Sequence, residues 1–306
     1  MRADFLGFVQ KQEQDPMHNV QQNLAELDAR QATQQHARAF WLGELIAALD
    51  AETLSERDRL LSLCEQLLPT DDERDCYASA QRAADMLSLC AELAAHYPAG
   101  YEQAFAALFG EHEPILPDAQ CRVAYVANPY TEQAFMELTG FIKERRVAYF
   151  HGFEDVCQEV RSGLCEYGIL PVESTQEGLM AGLLRLIELY DLRICALCYV
   201  PSPQGGSTAF ALVRRHLLPA QSATHQILEI LLSPASPEDT GRLIGIAALC
   251  GHELLHAATY QGQDGEQFRL RFALRSAMLY PFLLYLLLFC ADVTPIGFYP
   301  IRNLTK

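Results

Sequence analysis

VAYFHGFEDVCQEVRSGLCEYGILPVESTQEGLMAGLLRLIELYDLRI, residues Val147 to Ile194, decides the fold. Val147–Phe150 is short, β-branched and aromatic, which suits a strand. From Phe153 to Leu164 the apolar residues Phe153, Val156, Cys157, Val160 and Leu164 recur at helical spacing, with Glu154 and Asp155 in the first turn. Tyr167–Val172 is a second apolar run, closed by the polar turn Glu173-Ser174-Thr175. The pattern predicts a helix from Gln176 to Tyr190 and then a strand, Leu192–Val200. This is a β-α-β-α-β order, for which a mostly parallel sheet is expected. The polar turn falls just past the carboxyl end of a buried strand, where open α/β sheets tend to hold their ligands.

Outward from this core, residues 1–112 read as all-α: a long pattern from His18 to Leu49, a helix from Ser55 to before Pro69, one from Asp71 to His96, and a short one at Tyr101–Phe109. Glu113–Gln120 reads as a linker. Arg122–Val126 is a strand and Thr131–Lys143 a helix, which completes an α/β domain over 121–216. A second linker, His216–Gln226, leads into 227–306. There the order is strand Ile227–Leu232, helix Asp239–Leu249, strands Leu254–Tyr260 and Gln267–Leu274, an amphipathic helix Ala277–Ala291, and a tail through Gly297-Phe298-Tyr299-Pro300. That β-α-β-β-α order is a ferredoxin-like pattern. The fold class expected is therefore multidomain: an all-α helical domain, a single parallel α/β lobe, and a ferredoxin-like α+β domain.

Composition narrows the function classes. The 306-residue chain is half hydrophobic and carries a formal net charge of −16 with only three lysines, Lys11, Lys143 and Lys306. It should not bind nucleic acid, because phosphate contacts need clustered Lys and Arg. The ten cysteines are scattered, mostly in apolar runs, and read as reduced, cytoplasmic thiols. The longest apolar run, Ala277–Ala291, is shorter than the about 20 residues that a membrane span takes. No membrane partner is expected. No secretory signal is evident in Met1–Gln14.

The stretch resembles the prephenate dehydratase family. Phe153-Glu154-Asp155-Val156, Gly163-Leu164-Cys165, Tyr167-Gly168-Ile169-Leu170-Pro171-Val172-Glu173 and Glu177-Gly178 carry the resemblance. The order helical region, dehydratase, ferredoxin-like module is similar to the bifunctional chorismate mutase/prephenate dehydratases, which end in an ACT domain. The resemblance implies that 1–112 takes the mutase position, 121–216 half of a periplasmic-binding-protein-like fold, and 227–306 an ACT-like regulatory domain. It also implies a small-molecule ligand (prephenate-like or an aromatic amino acid), no cofactor, and a homodimer or homotetramer.

The site residues follow from the same resemblance. The family's Thr-Arg-Phe signature becomes Thr208-Ala209-Phe210, with Thr208 the residue that assists loss of the ring hydroxyl. Its arginine, which binds a carboxylate, is replaced by Ala209. The substrate turn Glu-Asn-Ser becomes Glu173-Ser174-Thr175, and the glycine-rich turn after the first strand becomes Asn128-Pro129-Tyr130-Thr131, with Thr131 an N-cap or an anion contact. In the family a second lobe separates the strand ending near Val200 from Thr-Arg-Phe. Here only Pro201 to Ser207 intervene, so half the cleft is absent.

Three functions are compatible with these residues. The first is a divergent, catalytically impaired family member acting in binding or regulation near phenylalanine biosynthesis. The second is an active dehydratase that converts prephenate to phenylpyruvate, water and carbon dioxide. The third rests on His252-Glu253-Leu254-Leu255-His256, an HExxH string. On a helix it would put two imidazoles on zinc with the glutamate as base of a peptidase. On a strand, as the ferredoxin-like register has it, His252 and His256 do not converge.

Overall fold

The computed structural model describes residues 33, 36–47, 57–68, 76–109, 121–142, 144–203, 205–217, 226–233, 237–261, 265–275, 278–290 and 293–300. The linkers read at 113–120 and, in the main, 216–226 lie outside these residues. The chain divides into two compact units, 1–67 and 68–306.

In the first unit, residues 36–47 form α1 and Arg57–Leu67 forms α2. Leu42, Leu45, Cys64 and Leu67 are buried, and Arg38 Nη1 donates to the Leu67 carbonyl at 2.9 Å.

The second unit opens with α3 (Cys76–His96), a 3-10 turn (Pro98–Gly100) and α4 (Tyr101–Phe109). These helices belong with the sheet that follows, so the division by contacts falls at 67/68, before the linker read at 113–120. The α/β part comprises β1 (Cys121–Val126), α5 (Pro129–Leu138), β2 (Arg145–Phe150), α6 (Phe153–Ser162), β3 (Tyr167–Ser174), β4 (Gly178–Leu179), α7 (Ala181–Leu189), β5 (Arg193–Pro201) and β6 (Ser207–Arg214). The remainder is β7 (Gln226–Leu232), α8 (Pro237–Leu249), β8 (Glu253–Gln261), β9 (Glu266–Leu274), α9 (Leu279–Phe289) and β10 (Val293–Pro300).

All the described strands join one ten-stranded sheet, in the order β2-β1-β3-β6-β5-β10-β7-β9-β8, with β4 hydrogen-bonded to β3. β1 pairs parallel with β2 and β3, as the β-α-β order requires. The lobe is not purely parallel, however. β6 inserts antiparallel between β3 and β5. Its connection from β5 is a hairpin, Pro201 opposite Ser207, and a connection that short can only reverse the chain.

β7 to β10 form the antiparallel order β10-β7-β9-β8 around α8 and α9, a β-α-β-β-α-β arrangement. The segment read as a tail is in fact β10. Beyond its pairing with β7, it pairs parallel with β5 through Gly297 and Ile194, so it stitches the two halves into one sheet. α7 starts at Ala181, not Gln176, because residues 175–177 turn the chain and Gly178–Leu179 pair back onto β3.

Apolar layers fill both sides. α6 and α7 cover Leu170, Val172, Leu197 and Ala211 on one face, and α5 covers Val123, Tyr125, Ile169 and Phe210 on the other. α6 closes on Gly163, whose φ of 79° is the left-handed conformation that ends a helix cheaply only in glycine. α9 was expected to be amphipathic, yet Leu279 and 281–286 are all buried. A helix apolar all round needs cover on every side, and here α3 and α4 supply it, with Phe298 of β10 edge-on to Phe105 at 5.0 Å. Among the described residues no helix is long and apolar enough to cross a membrane.

Candidate functional site: a buried ionic cluster at the end of β3

β3 is buried from Tyr167 to Val172 and becomes half-exposed only at Glu173 and Ser174. A proline in a central strand removes a ladder donor and is confined to irregularities such as bulges. The pairing with β6 shifts accordingly: Pro171 lies opposite Phe210 and Glu173 opposite Ala209, so Val172 is the extra residue of a bulge. Bulges re-aim the side chains that follow them. Beyond this one, Glu173 faces β8 and β9.

β9 has a strict alternation. Phe268, Leu270, Phe272 and Leu274 point one way, and Gln267, Arg269 and Arg271 the other. Phe272 packs edge-on against Phe282 of α9 at 6.0 Å. The polar face turns toward the α/β half. In a flat sheet the five steps from β3 to β9 would span about 24 Å. Yet Glu173 Oε2 lies 3.6 Å from Arg271 Nη2 and 3.9 Å from Arg269 Nη1, so the sheet coils until its two halves meet.

The meeting point is a cluster of ions. Glu229 of β7 is fully buried and pairs with Arg269 through both Nε and Nη2; Arg271 Nε stands 3.6 Å from its Oε2. Tyr299 of β10 donates to the same Oε2 at 2.6 Å. Arg271 Nη1 donates to the Tyr199 hydroxyl at 3.3 Å, and His256 Nε2 sits 3.5 Å from Glu173 Oε1. Arg269 is 0% exposed and Arg271 5%, whereas Glu173 and His256 form the half-exposed rim.

Burial and charge set the protonation states. Burial opposes the charge on Glu229, but Arg269, Arg271 and the Tyr299 hydroxyl outweigh it and hold the carboxyl below its usual range. Burial, and then the neighbouring Glu229, push the Tyr299 hydroxyl well up, so it remains a donor. Burial lowers His256; Glu173 opposes this, while Arg271 and Arg269 add to it. With the imidazole neutral, the cluster sets two guanidiniums against two carboxylates.

Several polar atoms in it make no hydrogen bond: Arg269 Nη1, Arg271 Nη2, Glu173 Oε2 and His256 Nδ1. Glu173 Oε2 is thus flanked by two cationic nitrogens at distances too long for a direct bond.

The residues singled out in the sequence fall into three groups. Ser174, Thr175 and Thr208 are brought together: Thr208 pairs with Ser174 on one side and Val200 on the other. Ser174 Oγ accepts from Gln176 N at 3.2 Å and Thr175 Oγ1 from Ser207 N at 2.9 Å, so both hydroxyls brace the turn and the hairpin. Phe210 is core, packed with Tyr125 and Phe135 on the α5 face. Thr131 stands apart on α5 and is not the N-cap. Asn128 is: its Oδ1 accepts from Tyr130 N at 3.0 Å and Thr131 N at 2.9 Å, with Pro129 at the first helical position.

Ala209, where the signature arginine would stand, lies between Glu173 and Tyr199 in the sheet. Arg271 approaches both of these neighbours, so a guanidinium from β9 arrives beside the position. Arg214, the nearest downstream cation, is spent elsewhere: it bonds Glu166 at 2.9 Å and lies over the Tyr167 ring.

The zinc reading of the HExxH string is corrected by the geometry. Glu253 to Gln261 is a strand, and His252 precedes it, buried edge-on to Phe282 with Nδ1 accepting from Arg275 N at 3.2 Å. His256 instead faces Glu173. Among the described residues no three His, Cys, Asp or Glu side chains are placed to hold a metal.

Sequence reasoning missed Glu229, Arg269, Arg271, Tyr199 and Tyr299. Two signals were available: the lone acid in the apolar run Ile227–Leu232, and arginines alternating with apolar residues along β9.

Residues 126–203 match the family model for prephenate dehydratase, and the match stops inside the β5–β6 hairpin. Over this stretch the chain is similar to the prephenate dehydratase family. Among solved structures, it is similar to GqqA, a quorum quenching acylase, at 18% identity and a TM-score of 0.47, over 59% of this chain and 95% of that one. It is also similar to the prephenate dehydratase of Streptococcus mutans, at 16% identity and a TM-score of 0.48, over 58% of this chain and 97% of that one. For the Arthrobacter aurescens prephenate dehydratase in complex with L-Phe, the figures are 13%, 0.48, 58% and 89%. No curated protein matches the sequence.

Proposed function

We propose that the protein is a divergent prephenate dehydratase relative that binds a small molecule and does not dehydrate prephenate. The observation that supports this most directly is the hairpin between Pro201 and Ser207. Dehydration and decarboxylation need a substrate enclosed on both sides, with its carboxylates held and water kept out. A tight hairpin beside Thr208 offers one wall. Glu173, Ser174, Thr175 and Thr208 form the open side of a ligand turn, while Phe210 anchors the strand behind it in the core on the α5 face and Thr131 lies apart on α5.

On this reading the domains keep the family order. Residues 1–112 take the chorismate mutase position, 121–216 are the remnant dehydratase lobe, and 227–306 are an ACT-like module. The protein works in the cytoplasm as a homo-oligomer, sensing a metabolite near phenylalanine biosynthesis.

Full-length protein incubated with prephenate tests the reading through phenylpyruvate, followed by its absorbance in alkali. No formation above the uncatalysed rate is expected, and turnover would overturn the proposal. A thermal-shift screen with prephenate, chorismate, phenylalanine and tyrosine then seeks the ligand, since anything that binds only the folded state raises Tm.

A further inference from the structure

We infer that β2 is a dimer seam: its free edge pairs antiparallel with β2 of a second copy of this chain, and the sheet continues across a two-fold axis at Ala148. The inference deepens the homo-oligomer reading above and rests on it.

β2 ends the sheet on one side, as β8 does on the other. An edge strand offers unpaired N–H and C=O groups, and proteins blunt such edges with proline, lysine, bulges or a covering segment. The core of β2 is not blunted. Its pairing with β1 runs unbroken from Arg145 to Phe150, and Val147–Phe150 carries neither charge nor proline. Apolar surface gathers beside it. Of the ten large apolar side chains exposed among the described residues, five fall within residues 130–149: Tyr130, Met136, Phe141, Val147 and Tyr149. On β8 it is Leu255 alone among the described residues. Tyr149 is 60% exposed, although its ring stands edge-on to Tyr125 at 5.2 Å. α5 covers Tyr125 of β1 and leaves Val147 and Tyr149 bare. A gathered apolar patch of this kind marks an interaction surface.

The sequence of β2 fits that surface to a copy of itself. In an antiparallel pair, residues directly opposite share a face, so a two-fold axis normal to the sheet passes through a residue and not between two. Placed at Ala148, the axis sets Val147 against Tyr149 of the second copy and Arg146 against its Phe150, each twice. The first is a β-branched–aromatic pair on the α5 face, and the second puts a cation beside a ring on the α6 face. The smallest side chain of the strand sits on the axis itself. An axis at Val147 would set Phe150 against Glu144, and one at Tyr149 would leave Arg146 facing Gly152.

Charge is complementary in the same sense. Arg146 lies in register with Arg122 of β1, so two exposed cations stand side by side on the α6 face at the start of the strands. Like charges so placed repel. At the opposite end of β2, the first turn of α6 exposes Glu154 and Asp155. The two-fold brings the cationic end of each strand to the acidic end of the other copy.

The test uses the full chain. Sedimentation equilibrium is expected to show a dimer. Tyr149→Asp should weaken association at least tenfold with the far-UV circular dichroism unchanged, and Leu255→Asp, the equivalent change on β8, should leave association as it is. Mild oxidation reads the register. Ala148→Cys should give a disulfide-linked dimer, because opposite Cα atoms lie about 4.5–5.5 Å apart. The wild type and Val147→Cys should not, since the same axis holds the two Val147 positions beyond disulfide reach. A dimer that survives Tyr149→Asp, or one that Leu255→Asp dissociates in its place, would overturn the seam and leave the homo-oligomer reading intact. A cross-link at Val147→Cys without one at Ala148→Cys would overturn the axis. A monomer at every concentration would sink both the seam and the homo-oligomer reading.

Discussion

Tyr299 donates a 2.6 Å hydrogen bond to Glu229, a carboxylate with no exposed surface that also pairs with Arg269. A buried ion pair adds little over a well-packed apolar substitute, but removing one partner strands the other. Glu229→Leu is therefore expected to cost about 3–5 kcal/mol, and the double change Glu229→Leu with Arg269→Met clearly less than the sum of the singles. Urea unfolding of the four proteins checks this; strict additivity would mean that the pair is not a unit.

Acid sensitivity should trace in part to His252. Burial pushes its pKa from 6.5 down to about 4, although a backbone contact at Met278 opposes the shift. Between those values the unfolded chain takes up a proton that the folded one refuses, so stability falls as pH drops through this window and levels off below it. His252→Gln should flatten the fall. Urea midpoints measured between neutrality and pH 4, wild type against variant, report the difference.

The β5–β6 hairpin depends on Gly206. Its φ is +78°, and a Cβ there would run into Thr175 Oγ1, the atom that accepts from Ser207 N. Gly206→Ala should destabilise by about 1–3 kcal/mol, through both the backbone and the lost brace. Amide exchange at Ser207 and Thr175 should quicken before that of the rest of the sheet.

At the start of α5 two neighbouring residues should behave oppositely. Asn128→Ala removes the cap to Tyr130 and Thr131 and should cost about 1 kcal/mol. Thr131→Val removes a buried hydroxyl with no hydrogen bond and should be neutral or stabilising. Thermal unfolding of both variants decides; a loss in Thr131→Val would show that its hydroxyl has a use.

Local chemistry made much of this legible. The α4 boundaries, Tyr101–Phe109, follow from Pro98-Ala99-Gly100 and the apolar spacing, and α6 from its acidic first turn and terminal glycine. The cap at Asn128 was equally readable, since asparagine before proline is a start signal in its own right; placing it at Thr131 set it three residues late. Other features were not local. β10 became a strand because β5 and β7 both had edges to fill, and nothing within Val293–Pro300 says so. The ionic cluster joins residues nearly a hundred positions apart through the coil of the sheet, and alternation along β9 marks the arginines without naming their partners.

β10 follows the other described strands in the chain and is the one that lies between β5 and β7. Until it emerges, the nascent chain holds two half-sheets with open edges facing each other, a state prone to mispairing and to chaperone capture. A chain cut anywhere before Val293 would thus be severed at the middle of its sheet instead of trimmed at an edge.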